Sequence, residues 1–140
     1  KGWRGQLTQA GILATDAELQ ELQRALENTL DDSVGQWLLC NYTNSNAELA
    51  LDYQFPEEYQ MQRSVVDLTF ISNDTRWIID YKYSLPKHSE SIEDFQQSMQ
   101  RRYTAQLKHY SRLFRELGPH PVRCALYLPR IPMFIEISLD

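Results

Sequence analysis

Residues 65–71 and 77–83 of this 140-residue chain read Val-Val-Asp-Leu-Thr-Phe-Ile and Trp-Ile-Ile-Asp-Tyr-Lys-Tyr, with the polar link 72–76 between them. Two runs so rich in β-branched and aromatic residues, joined by a short polar segment, predict a β-hairpin. With Asn73-Asp74 as the central pair of a two-residue turn, residues whose numbers sum to 147 lie opposite one another. Asp67 then faces Asp80, with Cβ atoms about 4.5–5.5 Å apart. Lys82 shares a face with Asp80, two residues along the strand. Opposed carboxylates repel, so a fold that keeps them side by side calls for a cation. Oxygen ligands of this kind suit Mg²⁺ or Mn²⁺ better than zinc. The competing reading is a solvated sheet face carrying a surface Asp–Lys pair.

The remaining elements follow in chain order. Residues 1–14 read as an arm or loop that Trp3 anchors. Thr15-Asp16-Ala17-Glu18 is a capping box, so a helix starts there. Leu19, Leu22, Leu26 and Leu30 give it a core-facing stripe. Asp31-Asp32-Ser33 ends that helix and caps a short second one through Leu39. Glu48 to Phe55 is the first strand, and Glu48 at its start either faces the carboxylate pair or is a plain exposed strand residue. A polar loop follows Lys82. Ser91 then caps a long helix from Ile92 to Leu117, stopped by Gly118-Pro119. Ile92, Phe95, Met99, Tyr103, Leu107, Tyr110, Phe114 and Leu117 mark its buried face. Gln106 and Tyr110 are four apart and share a face. Val122 to Leu128 reads as a buried strand and Phe134 to Ser138 as a final edge strand. The order helix–strand–strand–strand–helix–strand predicts an α/β sandwich with a mixed sheet.

Composition excludes several classes. Apolar residues at 42% and charged residues at 24% are ordinary for a globular domain, and the length fits one domain. No apolar run approaches the ~20 residues that cross a membrane, so no membrane partner is expected. Cys40 and Cys124 lack ligand spacing and read as reduced core residues of a cytoplasmic protein. His88, His109 and His120 are scattered and read as surface or loop residues. The chain begins at Lys1 rather than methionine, which reads as a piece of a longer protein. A net charge of −5 argues against a strong autonomous nucleic-acid binder. Yet Arg101, Arg102, Lys108, Arg112 and Arg115 fall within residues 101–115 without one acid, a local basic helix face or a DNA contact.

An Asp on the second strand, Asp80-Tyr81-Lys82 on the third and Tyr103-xx-Gln106-Leu107-xx-Tyr110 on the next helix together resemble the PD-(D/E)XK nuclease superfamily. The closer likeness, running from about Glu48 to Leu128, is to the RecB-type nuclease domain at the C-terminus of bacterial helicase–nucleases such as the beta subunit of exodeoxyribonuclease V. The resemblance implies a restriction-endonuclease-like three-layer core, order αβββαβ, with helices on both sides of the sheet. It implies a Mg²⁺- or Mn²⁺-dependent deoxyribonuclease working on DNA beside a helicase domain, in end processing and recombinational repair in a bacterial cytoplasm. Residues 1–140 would then be a single nuclease domain, a C-terminal fragment of a longer helicase–nuclease. By the family pattern Asp67 and Asp80 hold the metal, with the Tyr81 backbone carbonyl and Glu48 as further ligands. Lys82 is the catalytic lysine, and Gln106 and Tyr110 match the family's Gln-xxx-Tyr motif. Arg101, Arg102, Tyr103, Lys108 and Arg112 would meet DNA. The chain departs from the pattern in two places. It reads Arg63-Ser64-Val65-Val66 where members often carry a glycine, and no histidine precedes Asp67. The rival class is a catalytically inactive nuclease-like module that grips DNA or docks a subunit. A metal hydrolase of small nucleotides is disfavoured by the lack of a glycine-rich phosphate loop.

Overall fold

A computed structural model describes residues 15–42 and 44–140; the reading of Trp3 as an anchor lies outside them. Its elements are α1 (Asp16–Asp31), α2 (Ser33–Leu38), β1 (Asn46–Tyr53), β2 (Gln62–Ser72), β3 (Thr75–Tyr81), α3 (Ile92–Leu117), β4 (Val122–Leu128) and β5 (Met133–Ile137). The five strands form one mixed sheet in the order β1-β2-β3-β4-β5. Only β3 and β4 run parallel, because α3 carries the chain back across the sheet between them.

The β2–β3 hairpin has the expected register, from Ser72↔Thr75 to Leu68↔Ile79. Asn73 and Asp74 take φ of 48° and 57°, so both central residues of the turn are left-handed. That is the twist-matched form of a two-residue hairpin, and Asn and Asp tolerate it best after glycine.

Each face of the sheet carries its own core. On one face Phe95, Met99, Leu107, Tyr110 and Phe114 of α3 pack on Val66, Ile78, Cys124, Leu126 and Ile135. On the other, Leu38, Val34 and Trp37 of α2 pack on Leu68, Phe70, Trp77, Ile79 and Tyr127. Helices therefore cover both faces.

Thr15 forms the reciprocal capping box with Glu18. The stripe expected on α1 shifts, however: Ala25 and Thr29 are the buried residues, and Leu30 stays 58% exposed. Polar bonds to the β4–β5 link set this rotation. Asn28 donates to the Pro129 and Arg130 carbonyls, and Arg130 pairs with Glu21. Asp32 caps α2 by accepting from the Gly35 amide, and the Tyr127 hydroxyl donates to the same carboxylate. Glycine is required at position 35, since a Cβ there would stand 2.0 Å from the Thr29 carbonyl oxygen. On α3 the buried run is shorter than its periodicity predicts, with Ile92 and Leu117 exposed where the helix overhangs the sheet. Both cysteines are free, but Cys40 is exposed just past α2, and only Cys124 belongs to the core. His109 is neither on a loop nor wholly on the surface. It lies half-buried on α3, against the Tyr53 hydroxyl and the Phe55 ring.

Side chains two apart on a strand normally share a face. Val66 packs under α3, whereas Leu68 and Phe70 pack under α2, so the pleat of β2 reverses at Asp67. β1 reverses in step, because Asn46 and Leu49, three apart, line one cleft with Thr69 and Phe114. Glu48 stands at that break with φ of 50°, between the pairs Ala47↔Leu68 and Leu49↔Val66. Such an interruption re-aims a side chain and bends the strand.

Candidate functional site

Past Leu68↔Ile79 the ladder between β2 and β3 gives way, and Asp67 takes over one of its bonds. The Tyr81 amide donates to Asp67 Oδ2 at 2.8 Å. The Lys82 amide donates across to the Tyr127 carbonyl at 3.0 Å. Asp67 and Asp80 thus stand at the parting of two strands, where backbone donors are released from the ladder.

Asp80 is 4% exposed. The Lys82 ammonium lies 2.8 Å from its Oδ2 and is the partner of that buried oxygen. Burial raises the pKa of the Asp80 carboxyl; Lys82 opposes this, and the neighbouring Asp67 carboxylate adds to it. Burial pulls the Lys82 ammonium down, but Asp80, helped by Tyr103 and Asp67, holds it above its ordinary value. Its Nζ sits 4.3 Å from the centroid of the Tyr103 ring, a cation–π contact that fixes where the ammonium points.

α3 reaches this corner through two more side chains. Gln106 Nε2 donates to the Tyr110 hydroxyl at 2.9 Å, and that hydroxyl donates to the Val65 carbonyl at 3.2 Å. The Gln-xxx-Tyr pair therefore grips β2 two residues before Asp67.

Glu48 shares the cross-strand row of Asp67 and Asp80 by register, and its residue is exposed. Among the described residues no group of three or more His, Cys, Asp or Glu side chains gathers to hold a metal. The residues expected to meet DNA do not gather either. Tyr103 is turned inward beneath Lys82. Arg112 pairs with Glu57 and lies 3.6 Å from the Phe55 ring centroid, about 13 Å along the helix from Tyr103. Lys108 donates to the Asp140 carbonyl, while Arg101 and Arg102 are exposed.

The two acids are oxygen donors of the kind a hard divalent cation takes, and a six-coordinate ion held by them would fill its remaining places with water and phosphate oxygens. Sequence reasoning missed the place of Tyr103, because a ring under a lysine is a contact between elements and leaves no local signal. Among the described residues no helix is long and apolar enough to cross a membrane. No protein-family model and no curated protein matches the chain.

Proposed function

We propose that this chain is a divalent-metal-dependent nuclease domain of restriction-endonuclease-like fold that hydrolyses phosphodiester bonds in DNA as part of a helicase–nuclease. The observation that carries this reading is the buried Asp80 carboxylate, set beside Asp67, with the Lys82 ammonium held against it. Burial and a second acid both oppose the ionised form of Asp80, an arrangement that supports a functional site.

Bound Mg²⁺ or Mn²⁺ would relieve phosphate charge and lower the pKa of a coordinated water. Asp67 and Asp80 would hold the ion, Asp67 keeping its orientation through the Tyr81 amide. Lys82, steadied on the Tyr103 ring, would donate to a phosphate oxygen as negative charge grows there, or orient the attacking water. Gln106 and Tyr110 would act at one remove, by fixing β2 through Val65.

The rival reading, a nuclease-like module without catalysis, draws on the lack of a third gathered ligand among the described residues. One assay separates the two: cleavage of DNA with Mn²⁺, by the chain alone and joined to its parent helicase. Lys82→Ala should keep the fold and the metal affinity while cleavage falls by roughly 10²–10³-fold, the usual loss for one charge-stabilising donor. Lys82→Arg should rescue poorly, since a planar fork does not replace a compact point charge. Equal cleavage by wild type and Lys82→Ala would remove the lysine from the chemistry. An inert wild type in its full context would favour the module.

A further inference from the structure

Among the described residues four arginines have acidic partners: Arg63 with Asp52, Arg112 with Glu57, Arg123 with Glu136 and Arg130 with Glu21. Arg76 is different. It stands at the start of β3, half-buried, and forms no ion pair among the described residues. Its Nη1 donates to the Asn44 carbonyl (3.2 Å) and to Thr69 Oγ1 (3.3 Å). A guanidinium has five N–H donors, and no acceptor among the described residues meets Nε or Nη2. Burial without a compensating acid pulls its pKa below the ordinary arginine value.

Arg76 opens onto a cleft of about 200 Å³ lined by Asn46, Leu49, Thr69, Phe114, Leu117, Gly118 and His120. No carboxylate lines it. Its volume is that of several waters at about 30 Å³ each. Phe114 backs the guanidinium, its ring centroid 5.6 Å from Cζ. Thr69 cannot turn away, because its hydroxyl is spent on the Trp77 carbonyl at 2.9 Å. His120 is tied through Nδ1 to the Asp74 carbonyl at 3.2 Å, which leaves its other ring nitrogen without a partner among the described residues.

We propose that this cleft is an oxyanion site that takes a phosphate group on the Arg76 guanidinium. A planar fork whose Nε and Nη2 N–H groups are unused matches two oxygens of a phosphate. The flanking Asn46 and His120 offer further polar contacts, and Leu49 and Phe114 give the cleft an apolar floor beside the guanidinium. The site lies four residues before Asp80 on β3, about 13 Å away, so it is separate from the carboxylate pair and does not rest on the nuclease reading.

The test is an NMR titration of the isotope-labelled 140-residue chain with inorganic phosphate, against sodium chloride at matched ionic strength and without divalent metal. Saturable shifts are expected at Arg76 Nε–H and at the amides of Thr69, Arg76, Gly118 and His120, while Asp67, Asp80 and Lys82 stay still. Arg76→Gln should weaken phosphate binding by about tenfold or more. Shifts that merely follow ionic strength or fall elsewhere would overturn the site, as would equal affinity in Arg76→Gln. If that variant does not fold, the wild-type shift map decides alone. A short single-stranded oligodeoxynucleotide, titrated in parallel, identifies the source. The same shifts with it mean a backbone phosphate is taken, and shifts with free phosphate alone mean a small ion; both support the site.

Discussion

Asp80 carries a proton more readily in the folded chain than in an unfolded one, since burial outweighs the pull of Lys82 and Asp67 adds to the shift. Its folded pKa is raised, so its contribution to stability is full below the ordinary value of 3.8 and is lost as pH rises through the folded value. Lys82 stays charged throughout the neutral range, its pKa being held above 10.5. A divalent ion competes with the Asp80 proton. The stabilisation by Mn²⁺, read as a melting-temperature gain, should therefore be larger near pH 8 than near pH 4, reaching about 2.7 kcal/mol at a hundredfold excess over Kd. Differential scanning fluorimetry on wild type and Asp80→Ala checks this. Equal gains at the two pH values, or an undiminished gain in Asp80→Ala, would count against metal at this acid. At the residue scale the sequence was legible in part: turn residues and alternation set the hairpin register as far as Leu68↔Ile79, whereas the break at Asp67 left no sign in it. Cys40 and Leu30 were misplaced, because apolar character marks what can be buried and says little about which side a neighbour covers.

At the scale of elements, α2 is held by close approach to α1 as well as by Trp37 and Leu38 packing on the sheet. Ala at position 35 would press on the Thr29 carbonyl at 2.0 Å and on the Tyr127 hydroxyl at 2.9 Å. Gly35→Ala should cost about 1–3 kcal/mol or more, as overpacking does. It should show as a lower urea midpoint with an unchanged slope; a wild-type midpoint would mean that α1 and α2 part easily. The grip of α3 on β2 predicts a different pattern. Tyr110→Phe removes the bond to the Val65 carbonyl and the acceptor of Gln106. Stability should fall by about 1 kcal/mol. Mn²⁺ affinity, measured calorimetrically, should fall by roughly threefold to tenfold as Asp67 loosens, the worth of one such bond. Lost stability with intact metal affinity would make the tyrosine a packing residue only. Helix and strand limits were readable because caps and turns leave local signatures: Thr15 with Glu18, Ser91 with Asp94, and Asn73-Asp74. The rotation of α1 was not, since Asn28 and Arg130, far apart in sequence, decide it.

Across the whole molecule, the net charge of −5 conceals a division of labour. Arg101 and Arg102 remain exposed on α3, while Arg112, Arg123 and Arg130 are each matched by an acid. The succession of elements along the chain and the mixed sheet were legible in its apolar runs and link lengths. The Arg76 cleft was not, being assembled from residues 46, 69, 76, 114 and 120, none of which is unusual alone. The paired reversal of the pleat at Glu48 and Asp67 was equally hidden, and it bears on how this chain tolerates changes of length. Removing Glu48 alone or Asp67 alone would slip one strand against the other by a residue and turn apolar side chains to the wrong face. Removing both would restore plain alternation in each strand while keeping every pair from Asn46↔Thr69 to Tyr53↔Gln62. The double deletion should thus fold with a native far-ultraviolet dichroism spectrum yet bind no Mn²⁺, whereas each single deletion should melt markedly lower. A double deletion no more stable than the singles would show that the interruption is structural. If the expectation holds, the acid opposite Asp80 is an insertion carried by a sheet that does not need it, and homologous chains that differ in length here should gain or lose the two residues together.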